Sequence, residues 1–349
     1  MKIGNWTFPN PIFVAPMAGV TDRPYRQLCK KLGAGHAVSE MAASNKLLWD
    51  SVKTSRRLDH NGEIAPITVQ LAGSDPDMMA EAAVYNIKKG AQIIDINMGC
   101  PAKKVCRTAS GSALLRDEPL VAKIIKSVVD VCKNYDVPVT LKTRTGWDEH
   151  TRNAINVALL AQDLGVAAIA LHGRTRCDFY KGQAEYETIR AVKSALEIPV
   201  IANGDIDSPE KAKFVLEYTN ADALMIGRAA QGRPWIFQQI NHYLQYNTKT
   251  EPPTYGSLRS ILSNHLIDHY AFYGEYTGVR TARKHIGWYL NNVPHASDWM
   301  PQINSATSTT MQLKLLDEWL SCLPANEAYI GGDTHKQNNA NNHSHKIPA

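Results

Sequence analysis

The sequence predicts an α/β fold, a (β/α)8 TIM barrel with a C-terminal helical domain. Three observations carry this. Short Val- and Ile-rich runs alternate with longer amphipathic stretches over the first two-thirds of the chain. Roughly eight strand–helix repeats fit within about 230 residues, the length such a barrel needs. After Thr254 the strand-like runs stop, and apolar residues recur at helical spacing.

In order, the expected strands are Ile12–Ala15, Ala37–Glu40, Ile67–Gln70, Ile93–Asn97, Val139–Lys142, Ala168–His172, Val200–Asn203 and Ala223–Ile226. Asp75-Pro76 reads as a helix cap with Pro in the first turn, and that helix stops near Gly90. Further helices run from about Leu120 to Lys133, from about Arg152 to Gly165, and onward from Ser208-Pro209. A doubly wound open sheet is the structural rival, but an open sheet of so many parallel strands is the less common solution.

The expected divisions are a barrel over 1–245, a helical domain over 254–325 and a disordered tail over 331–349. Leu258, Ile261, Leu262, His265 and Leu266, then Met311, Leu315, Trp319 and Leu320, mark the helical part. The tail is rich in Asn, His and Lys and lacks the apolar surface to order itself.

Of the 349 residues, 44% are hydrophobic and 20% charged, with a formal net charge of +5. This permits a nucleic-acid partner without requiring one. The 6 cysteines are scattered with no Cys-x-x-Cys pair, so no disulfide framework or metal set is expected. The N-terminus has no apolar run of a signal peptide, and no stretch reaches the roughly 20 apolar residues that span a bilayer. The expectation is a cytoplasmic protein with no membrane association and no obligate protein partner.

In a barrel of this kind, functional side chains cluster just after the strands. Here those positions hold Pro16-Met17-Ala18-Gly19, Gln70, Asn97-Met98-Gly99-Cys100-Pro101, Lys142-Thr143-Arg144, His172-Gly173-Arg174, Asn203-Gly204-Asp205 and Gly227-Arg228. The last two loops suggest a phosphate site, since small residues let backbone amides approach an anion and Arg228 adds charge. The plainer reading is that Gly204 and Gly227 only make tight turns. Lys142 favours a flavin, because a fixed ammonium stabilises an anionic reduced ring. Gln70 and Asn203 could pair with the ring's polar edge. No G-x-G-x-x-G follows a strand, so no resident nicotinamide site is expected. Cys100, in a loop between Gly99 and Pro101, is unlike a core cysteine. Its thiol, ordinarily near pKa 8.5, is protonated at neutral pH and suits an acid.

These stretches resemble the tRNA-dihydrouridine synthase family, most closely its bacterial B-type branch. The resemblance is carried by Ala15-Pro16-Met17-Ala18-Gly19-Val20-Thr21-Asp22, Asp95-Ile96-Asn97-Met98-Gly99-Cys100-Pro101-Ala102-Lys103-Lys104, His172-Gly173-Arg174-Thr175, Ile201-Ala202-Asn203-Gly204-Asp205-Ile206 and Met225-Ile226-Gly227-Arg228. It extends to about Leu323. It implies FMN as cofactor, NADPH (or NADH) as reductant, and reduction of the C5=C6 bond of a D-loop uridine in tRNA, with position 17 the B-type expectation. By position it places Pro16, Met17, Ala18, Gln70, Lys142, Asn203, Gly204, Asp205, Gly227 and Arg228 on FMN, and His172 beside the ring or its phosphate. It places Asn97, Lys142 and Arg144 near the uracil and makes Cys100 the proton donor to C5, opposite a hydride delivered to C6. The segment Cys106 with Thr108-Ala109-Ser110 departs from the more Gly- or Asn-rich loop of relatives.

Arg23, Arg26, Lys30, Lys31, Lys103, Lys104, Arg107, Arg174, Arg176, Lys181 and Arg233 follow strands and are expected toward the active face. From Glu251 to Leu323 there are five Lys or Arg against six Asp or Glu. Within that stretch Arg280, Arg283 and Lys284, with His285, Tyr276 and Trp288 close by, form a candidate tRNA-phosphate cluster. The rivals are a small-molecule FMN barrel of the dihydroorotate dehydrogenase type and a non-catalytic RNA-binding barrel. The added helical domain argues against the first, and Lys142, His172 and Cys100 against the second.

Overall fold

The computed structural model describes residues 1–49, 51–291 and 293–329. The expected tail over 331–349 lies outside them. Two compact units form, one from 1–228 with 237–247 and one from 229–236 with the described chain from 248 onward.

The first unit is a closed parallel barrel. Its strands are β1 (Ile12–Val14), β2 (His36–Ala37), β3 (Thr68–Ala72), β4 (Ile93–Met98), β5 (Val139–Arg144), β6 (Ala168–His172), β7 (Val200–Asn203) and β8 (Ala223–Ile226). Each of β3 to β8 pairs in parallel with the next, β8 pairs with β1, and β1 with β2. The ring closes where Val38, just past β2, bridges in parallel to Thr68. Two features go beyond the sequence reading. Of the expected strand Ala37–Glu40 only Ala37 lies in β2, and a separate short strand, Ala42–Ala43, pairs with β3. Strand β5 continues through Thr143 and Arg144, because those polar side chains find partners at the barrel mouth.

An antiparallel ribbon, Lys2–Ile3 with Trp6–Thr7, lies at the start of the chain. Ile3 and Phe8 join Phe13, Ala15, Val38, Ile93, Ala168, Ala170, Ile201, Ala223 and Met225 in the barrel core. The interior is therefore packed, as barrels of this size require.

The helices begin where local chemistry says they should. Asp22 caps α1 (Arg23–Lys31) by accepting from the Tyr25 amide at 3.0 Å. Val52–Leu58 forms α2. Asp75 caps α3 (Pro76–Lys88) through the Met78 amide at 2.8 Å, as the Asp-Pro pair predicts. After a four-residue α4 (Lys103–Cys106), Asp117 caps α5 (Glu118–Lys133). Next come α6 (Ala154–Asp163), α7 (Glu187–Ala195) and α8 (Pro209–Thr219), the last capped by Ser208 through the Lys211 amide at 3.1 Å. Each cap contributes about 1 kcal/mol by satisfying an orphan amide. Helix α9 (Ile236–Tyr246) completes the barrel's surround.

The second unit holds α10 (Tyr255–Tyr273), α11 (Glu275–Leu290), α12 (Ala296–Ser305) and α13 (Thr309–Ser321). Leu258, Leu262, Leu266, Ala282, Ile286, Leu316, Trp319 and Leu320 meet in its core. The 229–236 segment packs here through Gly232: at φ +69°, a Cβ there would meet the Trp288 carbonyl at 2.2 Å. Only glycine permits that approach.

Candidate active site

Parallel register and the two-residue side-chain period decide which residues meet at the barrel mouth. Gln70 is level with Asp95, Asn97 with Lys142, and His172 with Asn203. The five expected mouth residues Gln70, Asn97, Lys142, His172 and Asn203 thus come together from five consecutive strands.

They form two hydrogen-bonded chains. In one, Thr140 donates to Asp95 at 2.6 Å and Gln70 donates to the other Asp95 oxygen at 2.7 Å. Asn97 then donates to the Gln70 side-chain oxygen at 2.7 Å. In the other, Lys142 donates to Asn203 at 3.0 Å, and Asn203 donates to the Met225 carbonyl at 2.7 Å. Burial pushes the Asp95 carboxyl up to about 6, against the opposing pull of Thr140, Gln70 and Lys142. Burial, then the neighbouring Arg144 charge, brings the Lys142 ammonium down to about 8, while Asp95 and Cys100 act the other way. Lys142 is therefore still mostly charged at neutral pH and poised to lose its proton just above it.

Cys100 sits half-buried at the end of β4. Its amide and that of Gly99 both donate to the Asn97 side-chain oxygen, at 3.0 and 3.2 Å. Its carbonyl accepts from the Ser112 amide at 3.1 Å and the Ser112 hydroxyl at 2.9 Å. Arg144 locks the other side. Its guanidinium donates to the carbonyls of Gly99, Thr175 and Phe179, each at 2.8 Å. Arg144 is almost wholly buried, so much of its hydrogen bonding goes into shaping the Cys100 and 175–179 loops. Burial raises the Cys100 thiol above its ordinary range, which the Ala102 amide, Arg144 and Lys142 only partly offset. The thiol stays protonated at neutral pH. Cys106 approaches the Cys100 carbonyl with its sulfur at 3.7 Å and the Ser112 hydroxyl at 3.8 Å.

On the β6–β8 side the charges are paired. Arg174 donates to both Asp205 oxygens, at 2.9 and 2.5 Å. Arg228 donates to the first at 2.8 Å, and the Ala184 amide to the second at 2.8 Å. Burial disfavours the Asp205 charge, but these donors outweigh it and hold the carboxyl below its usual range. Asp205 thus serves as the strut between two arginines, a role its sequence position alone does not reveal. Arg228 is half-exposed and lies over the Tyr180 ring at 4.9 Å. Burial and four surrounding cations drive the His172 imidazole well below its ordinary value, so it is neutral. Gly204 stands at φ +125°, where a Cβ would press on Ala184 at 2.7 Å and on His172 at 3.0 Å.

Pro16, Met17 and Ala18 follow β1 in a turn closed by the Val20 and Thr21 amides on the Met17 carbonyl, both at 3.0 Å. A Cβ on Gly227 would lie 3.6 Å from Ala15 and 3.7 Å from Met17, so these small residues line the β8–β1 rim. A flavin mononucleotide fits this donor set: an ammonium and amides at the centre, a neutral imidazole beside them, and a glycine-lined rim with a half-exposed arginine at the edge.

Several expected surface cations are engaged elsewhere. Arg26 is buried in an ion pair with Glu63. Arg23 pairs with Asp59 at 3.0 Å, and Lys30 donates to the Ile64 carbonyl at 2.5 Å. Arg174 is taken by Asp205, and Arg233 is buried. Lys31, Lys103, Lys104, Arg107 and Lys181 are exposed. In the helical unit Arg280 is exposed, its guanidinium 3.6 Å from the Tyr276 ring centroid, while Arg283 and Lys284 are half-buried. His285 departs from this cluster, being buried. The sequence reading overlooked Asp95 and Thr140. Their signal was available: polar residues two before Asn97 and Lys142, on the inward side of strands otherwise apolar.

The dihydrouridine synthase (Dus) family model matches residues 13–323. The chain is 56% identical over 317 residues to "tRNA-dihydrouridine synthase B" of Vibrio vulnificus (strain CMCP6), covering 91% of this chain and 98% of that one. It is 58% identical over 312 residues to the protein of the same name from Pseudomonas aeruginosa (strain PAO1), covering 89% and 93%. Among solved structures, the old yellow enzyme homologue from Zymomonas mobilis shares the barrel, with a TM-score of 0.51 at 16% identity over 72% of this chain and 92% of that one. With most of its length matched by the family and by such close relatives, the chain belongs to the dihydrouridine synthase family.

Proposed function

We propose that this chain, an oxidoreductase that forms dihydrouridine in tRNA, works with bound FMN and with Cys100 as the acid that completes the reduction. NADPH, or NADH, is the reductant, and a D-loop uridine, position 17 on the B-type likeness, is the target. The cytoplasm, where tRNA is modified, is its place of action. When bound, reduced flavin supplies the hydride that adds to C6 of the uracil.

The observation that carries the reading is the Cys100 thiol, held protonated by burial at the same barrel mouth as Lys142 and His172. As negative charge develops on C5 and its conjugated carbonyl, Cys100 gives its proton to C5 from the opposite face, which is general acid catalysis. Asn97 and Arg144 fix the backbone on either side of that thiol and border the uracil. Lys142, charged and desolvated, would stabilise anionic character on a ring held beside it, because a preorganised charge in a dry site costs no reorganisation. Gln70 and Asn203 present amides on either side of it. His172, Gly204, Asp205, Gly227 and Arg228 form the side expected to take the cofactor phosphate, with Asp205 acting through the two arginines. Pro16, Met17 and Ala18 would contact the ring on the β1 side.

The uracil must leave its stack to reach the mouth, at a cost of a few kcal/mol. Arg280, Arg283 and Lys284 in the helical unit offset part of that cost by holding phosphates. Mapping dihydrouridine in tRNA from cells lacking this chain tests the proposal. Loss at one D-loop position, restored by the wild-type gene and not by Cys100→Ala, is expected. Full restoration by Cys100→Ala overturns the role of the thiol.

A further inference from the structure

Two histidines of α10 and one of α11 meet inside the helical unit. His265 and His269 are four residues apart and so share one helix face. His285 lies opposite, its ring centroid 4.9 Å from that of His265 and 5.4 Å from that of His269. All three are buried. One ring nitrogen of each lies within 4.8 Å of the corresponding nitrogens of the other two.

Hydroxyl groups contact two of these rings. Thr281 gives its one proton to the carbonyls of Thr277 at 2.8 Å and Gly278 at 3.3 Å. The same hydroxyl lies 2.8 Å from Nε2 of His269; with its proton on a carbonyl it accepts there, so that Nε2 carries the hydrogen and Nδ1 keeps a lone pair. The Tyr289 hydroxyl meets Nδ1 of His265 at 3.3 Å, which leaves Nε2 of that ring outside this contact. A fixed outer nitrogen is how proteins commonly aim a metal-binding imidazole.

We infer that His265, His269 and His285 form a binding site for one divalent transition metal ion of the zinc type, tying α10 to α11. Imidazole trios suit zinc or cobalt, whereas magnesium and calcium prefer oxygen ligands. Zinc–nitrogen bonds of about 2.1 Å in a tetrahedral shell place the nitrogens about 3.4 Å apart. From separations of up to 4.8 Å the nitrogens need to close by up to about 1.4 Å, a movement that side-chain torsions supply. A water completes the four ligands. The sequence signal was His-x-x-x-His on a predicted helix with a third His on the next, which only the helix pairing brings together.

The test uses the full-length, untagged chain with His335, His343 and His345 of the tail replaced by Ala, so that tail imidazoles contribute nothing. Metal is stripped by chelation and Co2+ is titrated back. A visible ligand-field band of tetrahedral type saturating at one equivalent, displaced by Zn2+ and accompanied by a rise in melting temperature, is expected. His269→Gln, folded as judged by circular dichroism, should bind at least about 100-fold more weakly. Thr281→Val keeps all three ligands but loses the tautomer lock, and should bind about tenfold more weakly. Absence of saturation at one equivalent overturns the inference. So does unchanged binding in His269→Gln or, should that variant fail to fold, in Thr281→Val.

Discussion

Asn97 donates to the Gln70 side-chain oxygen at 2.7 Å while its own oxygen receives the Cys100 amide at 3.0 Å. One side chain thus couples the buried Asp95–Gln70 network to the backbone of the proposed acid. Asn97→Ala should strand the Gly99 and Cys100 amides and the Gln70 oxygen together. An unsatisfied buried group costs about 1–3 kcal/mol, so a loss of a few kcal/mol in denaturant unfolding is expected. Dihydrouridine formation should fall by at least about tenfold beyond what instability explains. A variant of wild-type stability and activity would show that the network does not position the loop.

Cys100→Ala should keep flavin absorbance and reduction by NADPH yet lose tRNA turnover by roughly 10²- to 10⁴-fold, the usual worth of a positioned general acid. Cys106→Ala should remain active, because its sulfur meets the Cys100 carbonyl and the Ser112 hydroxyl at 3.7 and 3.8 Å, contacts too long to hold the loop strongly. Stopped-flow absorbance for the reductive step and nucleoside analysis for the tRNA step separate the two. Equal loss in both steps for Cys100→Ala would place the thiol in cofactor binding instead.

Lys142 sets a pH limit. Its folded pKa is lowered to about 8, so the ammonium is present below that pH and lost above it. Single-turnover reduction of tRNA should decline as pH rises through about 8, before the Cys100 thiol, raised above its ordinary range, begins to ionise. Lys142→Arg retains a positive charge at every working pH and should move the decline upward. A flat wild-type profile through pH 9 would count against a required ammonium.

Asp205 is expected to matter through its arginines. Arg174 is 2% exposed at its side chain and Asp205 28%. Asp205→Ala leaves a buried guanidinium without its bidentate partner, and breaking such a pair costs about 3–5 kcal/mol when fully buried. Partial exposure of the carboxylate reduces this to about 2–3 kcal/mol. A chemical-denaturation midpoint well below wild type is the expected result. Weaker FMN binding at unchanged stability would instead favour direct contact between Asp205 and the cofactor.

The barrel was legible because its buried strands are rich in Val, Ile, Leu and Ala, and a polar residue at the end of such a run marked the mouth. Gln70, Asn97, Lys142, His172 and Asn203 could be read from that transition alone. The roles of Asp205, Arg174 and Arg144 could not, since they depend on loops separated by many residues. Arg144, for instance, reaches the carbonyls of Thr175 and Phe179, and spacing does not encode that contact. His285 shows the same limit in the helical unit. Its neighbours Arg283 and Lys284 suggested a charged face, yet the helix turns it into the core beside His265 and His269.

The Arg280 and Arg283 pair tests how that helical face works. Arg280 is exposed and braced over Tyr276, so its charge stands outward on a side chain already ordered. Each phosphate neutralised by a cation contributes close to one unit to the slope of log affinity against log salt. Arg280→Ala with Arg283→Ala should therefore weaken tRNA binding and lower that slope by about one to two units. Oxidation of NADPH by oxygen should stay at the wild-type rate, since that reaction needs only the barrel mouth. Filter binding across a salt series, beside an oxidase assay, checks both arms. Weaker binding with an unchanged salt slope would mean that the arginines support the helix and do not meet the phosphates.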